Sequence, residues 1–307
     1  MKRDELRFAI EEFSDNSPLN YLNDSLDEVE ANNYLKNNLQ GCRKSAESLL
    51  EVATGVLNGM RFFQRPIFSI ACAEDVKFKR IKRLEVVGEH HLLPKDWLPD
   101  AKTVISIFLP IERSTVETNK KKPGEPSLEW LCTRIDGQRF LLALGVMVRD
   151  LLIAEGYKAV TPATEDKMKT RGSDKTVPDE FAHIPRYSSN WSERHVAFAS
   201  GLGTFGLSTN FISKAGCAGR LVSVISNWDI EPDEPDYDDR LGYCNRCGAC
   251  KKRCPAEAYC GEGIGKDYDK CSAFIEKIRT KYGPRYGCGK CQSGVPCEFK
   301  SMKLQKV

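Results

Sequence analysis

The 307-residue chain contains no run of roughly 18 or more apolar residues, which argues against a membrane-spanning helix. Met1 to Glu5 is charged and leads into no apolar h-region, so no secretory signal is expected and the cytoplasm is the expected compartment. No internal repeat of solenoid length and no low-complexity tract occurs, which excludes a repeat array and a compositionally biased disordered chain. Hydrophobic residues make up 41%, ordinary for a globular protein, and the length suffices for a sizeable core plus an appendage.

What the sequence does have is cysteine. Thirteen cysteines in a chain without a secretory signal point to metal binding before disulfides. Cys42, Cys72, Cys132 and Cys217 are scattered and read as buried small hydrophobes. The other nine fall between Cys244 and Cys297.

Cys244-x2-Cys247-x2-Cys250-x3-Cys254-Pro255 resembles the bacterial ferredoxin run. That spacing converges three thiolates on one [4Fe–4S] cubane, and in two-cluster proteins sends the fourth cysteine to the other cluster. Downstream lie Cys271, Cys288-x2-Cys291 and Cys297, enough to complete two sets of four. By analogy with the crossed two-cluster arrangement, Cys244, Cys247, Cys250 and Cys297 are expected on one cluster. Cys254, Cys271, Cys288 and Cys291 are expected on the other, and Cys260 is left structural or spare. A zinc ribbon is the competing reading, but it uses paired C-x2-C knuckles and not a triple run followed by x3-C-P.

The remaining pattern sets the architecture. Residues 1–40 read as helical pieces and loops, and helical spacing runs from Cys42 to Phe63. Thr103–Leu109 reads as a buried strand, 112–129 with its lysine run 120–122 as a loop, and Arg139–Tyr157 as an apolar helix. Strands are expected at 157–160 and 221–225, a surface loop or lid at 164–180, and a helix capped by Ser192 that breaks at Gly201. Helices alternating with strands give an α/β or α+β domain. Asp229–Asp239, with seven acids and two prolines, reads as a linker. The expected divisions are a helical segment at 1–64, an α/β cofactor or substrate domain at 65–238, and a small two-cluster ferredoxin-like domain at 239–307.

Charge follows the same division. From Arg240 to Val307 there are 15 Lys/Arg against 6 Asp/Glu, a formal +9 within a chain of +3, which leaves −6 on the rest. Two oxidised clusters would contribute about −2 each. The tail's lysines read either as compensation for the clusters or as a docking face for an acidic electron donor of the ferredoxin or flavodoxin type. Two close clusters make an electron wire, and some 230 preceding residues suggest an oxidoreductase whose redox cofactor or substrate sits in the first domain.

Several stretches resemble the cobalamin-dependent epoxyqueuosine reductase family and its relatives, the reductive dehalogenases. They are Leu98–Ser106 (LPDAKTVIS), Ser192–Gly206 (SERHVAFASGLGTFG), Lys270–Glu276 and Tyr286–Gln292. The resemblance implies a nitroreductase-like sandwich holding a base-off corrinoid, with Gly201, Gly203 and Gly206 letting backbone approach the corrin plane; ending a helix and packing it on a strand is the structural reading of the same glycines. Counting from Glu193, the family's catalytic aspartate falls on Tyr187, which can also donate a proton, with His183 and Arg186 near it in sequence; packing against Trp191 is the alternative. The family's Lys-Asn after the last glycine is replaced by Leu207-Ser208, and Cys291-x5-Cys297 is two residues longer than usual. The chain ends soon after Cys297, where epoxyqueuosine reductases continue into tRNA-holding helical repeats. A small-molecule substrate is therefore expected ahead of tRNA, and a carrier without a substrate of its own is the third reading.

Overall fold

The computed structural model describes residues 1–22, 57–172, 178, 181–259, 263 and 265–303. The sheet forms because β2 (Thr103–Pro110, TVISIFLP) is apolar on both faces and buried at every position. Its neighbours are β1 (Ile67–Cys72) and β8 (Gly219–Ser226), both antiparallel to it, with Ile105 opposite Ile70 and Val224. β3 (Ala159–Val160) completes the order β1-β2-β8-β3, pairing only with Ser226 and Ile225 of β8. Gly219 to Val224 therefore have no strand partner on that side among the described residues.

The period-2 alternation of β2 and β8 divides the core. Ile105, Ile107 and Leu109 with Val222 and Val224 face α6 (Gly137–Ala154) and α1 (Arg3–Asn16), where Phe13 stacks on Phe140 at 5.7 Å. Val104 and Ile225 face the other way, toward α7 (Glu193–Ala199), α2 (Val76–Ile81) and α3 (Pro94–Trp97). α6 lies close on the sheet because Gly145 has no side chain: a Cβ there would come within 2.9 Å of Thr161 and Val222 methyls. The fold is mixed α/β, as expected. No helix among the described residues is long and apolar enough to cross a membrane.

Three local expectations are corrected. The 112–129 stretch is not a loop: α4 (Arg113–Lys121) and the start of α5 (Leu128–Ile135) lie in it. Of its buried positions, Thr115, Val116 and Asn119, only Val116 is apolar, so the core face carried little apolar signal, while the lysines at 120–122 are exposed. The helix expected to reach Phe63 does not: Gly59 turns at φ +80°, and Arg61 and Phe63 bridge to Tyr21 and Ile111. Residues 42–56 of that expectation lie outside the described residues. Within 164–180, Thr170–Arg171 (β4) pairs with Ser188–Ser189 (β5). Ser192 does stand at the N-cap of α7, although its hydroxyl pairs with His195 Nδ1 at 2.8 Å and not with the helix backbone. Cys132 and Cys217 are buried, Cys72 is exposed, and Cys42 and Cys260 lie outside the described residues.

Candidate functional site

The cysteine-rich segment is carried by short elements: the hairpin β6 (Gly203–Phe205) and β7 (Phe211–Ser213), α8 (Ala249–Lys252) and α9 (Tyr268–Tyr282). Cys250 sits on α8 and Cys254 just beyond its end. Cys271 sits in the first turn of α9, where the Asp267 side chain caps by accepting from Lys270 N at 3.0 Å. Cys288 and Cys291 lie in a loop laid flat on Trp130, since a Cβ on Gly289 would fall inside the indole ring. α4 pins that loop. Asn119 Nδ2 donates to Ser293 Oγ at 2.9 Å and Cys288 O at 3.2 Å, and the buried Lys290 ammonium donates to the carbonyls of Asn119 and Lys122.

Two adjoining cavities result. Cys244, Cys247, Cys250 and Cys297 line the smaller, beside Gly206 and Ser208. Cys254, Cys271, Cys288 and Cys291 line one part of the larger, which holds about 510 Å³. Cys291 and Cys217 touch both, and Asn210 Nδ2 donates to Cys291 Sγ at 3.0 Å. Among the described residues no three His, Cys, Asp or Glu side chains converge as ligands of a single ion. A cubane spaces its thiolates wider, one on each iron corner.

The donor set suits such a group. Burial first, and neighbouring thiols second, push Cys250 to about 11; burial takes Cys288 to about 12 and raises Cys271 as well. The protein alone thus keeps these groups as thiols, and only added positive charge would hold four thiolates together. Cys217, not anticipated here, stands with its Sγ 3.7 Å from Cys297 Sγ. The hydrogen bond between them holds the Cys217 proton on and the Cys297 pKa down.

The glycine loop is used differently from a corrin cradle. Gly201 ends α7 at φ +81° and faces Ser69 and Pro235. A Cβ on Gly203 would collide with the Ile212 carbonyl of β7, and one on Gly206 would meet the Ile212 side chain at 3.1 Å. At all three the place a side chain would take is filled by protein, so packing accounts for the missing side chain.

Tyr187 has a left-handed backbone (φ 62°) and stacks on Tyr268 at 5.4 Å; Trp191 packs instead against His91 and Trp97. The Tyr187 hydroxyl donates to Asp269 Oδ1 at 2.7 Å and accepts from Arg186 Nη2 at 3.0 Å, while Arg186 also pairs with Asp269. His183 is exposed, with His90 as a charge neighbour. Tyr187 is not among the residues lining the large cavity; Glu193 is. Both Glu193 carboxylate oxygens are buried without a hydrogen-bond partner, with Ser223 as polar neighbour, and burial raises its pKa to about 7. Sequence reading used Glu193 only as an anchor for counting; its one signal was an acid on a helix face shared with buried Val196 and Ala197.

No protein-family model matches this chain, and no curated protein does. Among solved structures it is similar to an epoxyqueuosine reductase crystallised with an epoxyqueuosine-modified tRNA-Tyr stem loop. Identity is 20% and TM-score 0.46, covering 81% of this chain and 64% of that one. The enzyme from Streptococcus thermophilus gives 18% and 0.41, covering 89% and 66%. A catabolic reductive dehalogenase gives 15% and 0.47, covering 76% and 30%. The chain thus spans less than two thirds of the length of each of these structures.

Proposed function

We propose that the protein is an iron–sulfur oxidoreductase that receives single electrons at two [4Fe–4S] clusters and reduces a small molecule in the 510 Å³ cavity. One observation supports this above the others: eight cysteines fall into two sets of four around two cavities that share Cys291. Cys244, Cys247, Cys250 and Cys297 would hold one cluster, and Cys254, Cys271, Cys288 and Cys291 the other, in a ferredoxin-like part from 239 onward. The clusters, when bound, supply one-electron transfer. Trp130, Phe274 and Ile275 of the cavity wall keep water from the acceptor. Glu193, its pKa raised to about 7 at the wall, can deliver a proton that reduction consumes, and Tyr187, whose hydroxyl sits between Arg186 and Asp269 off that wall, would do so only through a water. The basic tail is the docking face for an acidic donor of the ferredoxin or flavodoxin type. A corrinoid is the finer reading carried by the sequence resemblance alone. The three loop glycines give it no support, and no step here runs through it.

Anaerobic reconstitution followed by iron assay tests the proposal, with about eight irons per chain expected. About four would sink the two-cluster reading. A corrinoid titration followed by electron paramagnetic resonance tests the finer reading: a base-off Co(II) signal at micromolar protein supports the corrinoid, and its absence removes it.

A further inference from the structure

The large cavity runs along the unpaired edge of β8, and its charge does not balance. Arg134, Arg194, Arg220, Lys266 and Lys290 line it, against one acid, Glu193. A cluster on Cys254, Cys271, Cys288 and Cys291 would add about −2. Two of the cations stand beside those thiols, Lys266 at Cys271 and Lys290 at Cys288. They match the cluster's charge and leave the arginines over.

Arg134 of α5 and Arg220 of β8 are the pair without an answer. Arg220 donates to Arg134 O at 3.0 Å and to the Gln138 side chain, and the Arg134 guanidinium lies over the Tyr286 ring at 5.5 Å. Their charge neighbours are each other, Tyr286 and Arg279, not a thiolate. No carboxylate pairs with either among the described residues. By contrast, buried Arg285 is matched by Asp136 at 2.7 Å, and half-buried Arg3 and Arg186 by Asp233 and Asp269. Enclosing two like charges without a counter-ion is costly, so the fold keeps this pair for an anion supplied from outside.

We infer that Arg134 and Arg220 form an oxyanion subsite, and that the cavity takes a small organic acid, a carboxylate or phosphate ester. Its apolar body would lie against Trp130, Leu221, Phe274 and Ile275. Paired guanidinium forks suit the planar carboxylate and the phosphate oxygens, and the apolar wall suits a ring or short chain. The inference deepens the proposed function by naming a substrate class, and it rests on that reading for the cluster's charge and for the word substrate.

Benzoate and its neutral isostere benzamide are the probes, titrated calorimetrically into anaerobically reconstituted protein. Benzoate is expected to bind saturably and at least about tenfold more tightly than benzamide. Inorganic phosphate is expected to compete. Arg134→Gln and Arg220→Gln are each expected to lose the preference while keeping their iron. Arg134→Lys and Arg220→Lys, which keep the charge but not the fork, should fall between. Equal affinity for benzoate and benzamide in the wild type overturns the inference and needs no variant to fold. So does a glutamine variant that binds benzoate as the wild type does. If the arginines only balance the cluster, the glutamine variants change its resonance spectrum and no benzoate preference exists. The iron content reads the two-cluster proposal separately from either result.

Discussion

Glu193 sits in an environment unlike the one its type suggests. Its pKa moves from 4.5 to about 7 because burial penalises the anion by more than the neighbouring Ser223 offsets, and no cation pairs with it among the described residues. Below pH 4.5 the carboxyl is protonated in folded and unfolded chains alike and costs nothing. Between pH 4.5 and about 7 the unfolded chain ionises first, so stability falls as pH rises, by about 3 kcal/mol in all. Glu193→Gln should therefore melt at a higher temperature than wild type at pH 8 and at nearly the same temperature at pH 4. A thermal melt series across pH checks this; an equal gain at both pH values would assign the effect to packing. If Glu193 is also the proton source, the same variant slows turnover more than Tyr187→Phe does, and the alkaline limb of the pH–rate profile near 7 disappears.

Among the elements, the β6–β7 hairpin and the α4 contact decide whether the cysteines meet. Gly203→Ala sets a methyl against the Ile212 carbonyl, which must part the two strands. A loss of roughly 3 kcal/mol or more is expected from denaturant unfolding, with reduced iron retention because Gly206 and Ser208 border the first cysteine set. Asn119→Ala, removing the clamp on Cys288 and Ser293, should cost about 1–3 kcal/mol and make iron at the second set easier to chelate.

These elements also mark what the sequence could disclose. Thr103–Leu109 and Leu221–Ile225 were legible because strands covered on both faces are rich in β-branched and apolar residues. The cysteines were legible as a pattern because the C-x2-C-x2-C-x3-C-P spacing is set in the sequence itself. Helix α4 was not, because two of its three inward residues, Thr115 and Asn119, read as surface and Val116 alone makes no period. Glu193, Arg134 and Arg220 were not, because they come from α7, α5 and β8 and meet only at a sheet edge that β3 leaves open.

At the scale of the whole molecule, charge separates along the chain: +9 from Arg240 onward and −6 before it. An acidic electron donor should find the cysteine-rich end, and its attraction is screened over about 8 Å at physiological ionic strength. The rate of cluster reduction by an acidic ferredoxin is expected to fall severalfold between roughly 0.05 and 0.5 M salt. Reduction by dithionite, a small reagent that needs no docking, should change far less; equal salt dependence would remove the docking face from the account.

The central claim is the partition of eight cysteines into two crossed sets, and iron content in ligand variants reads it directly. Wild type, Cys254→Ser and Cys297→Ser are reconstituted anaerobically and assayed for iron and acid-labile sulfide, with Cys217→Ser as the neighbour that is not a ligand. The account predicts about eight irons for wild type and Cys217→Ser and about four for each of the other two, lost from different clusters by electron paramagnetic resonance. Loss of the same cluster from both variants, or about four irons in the wild type, would contradict it.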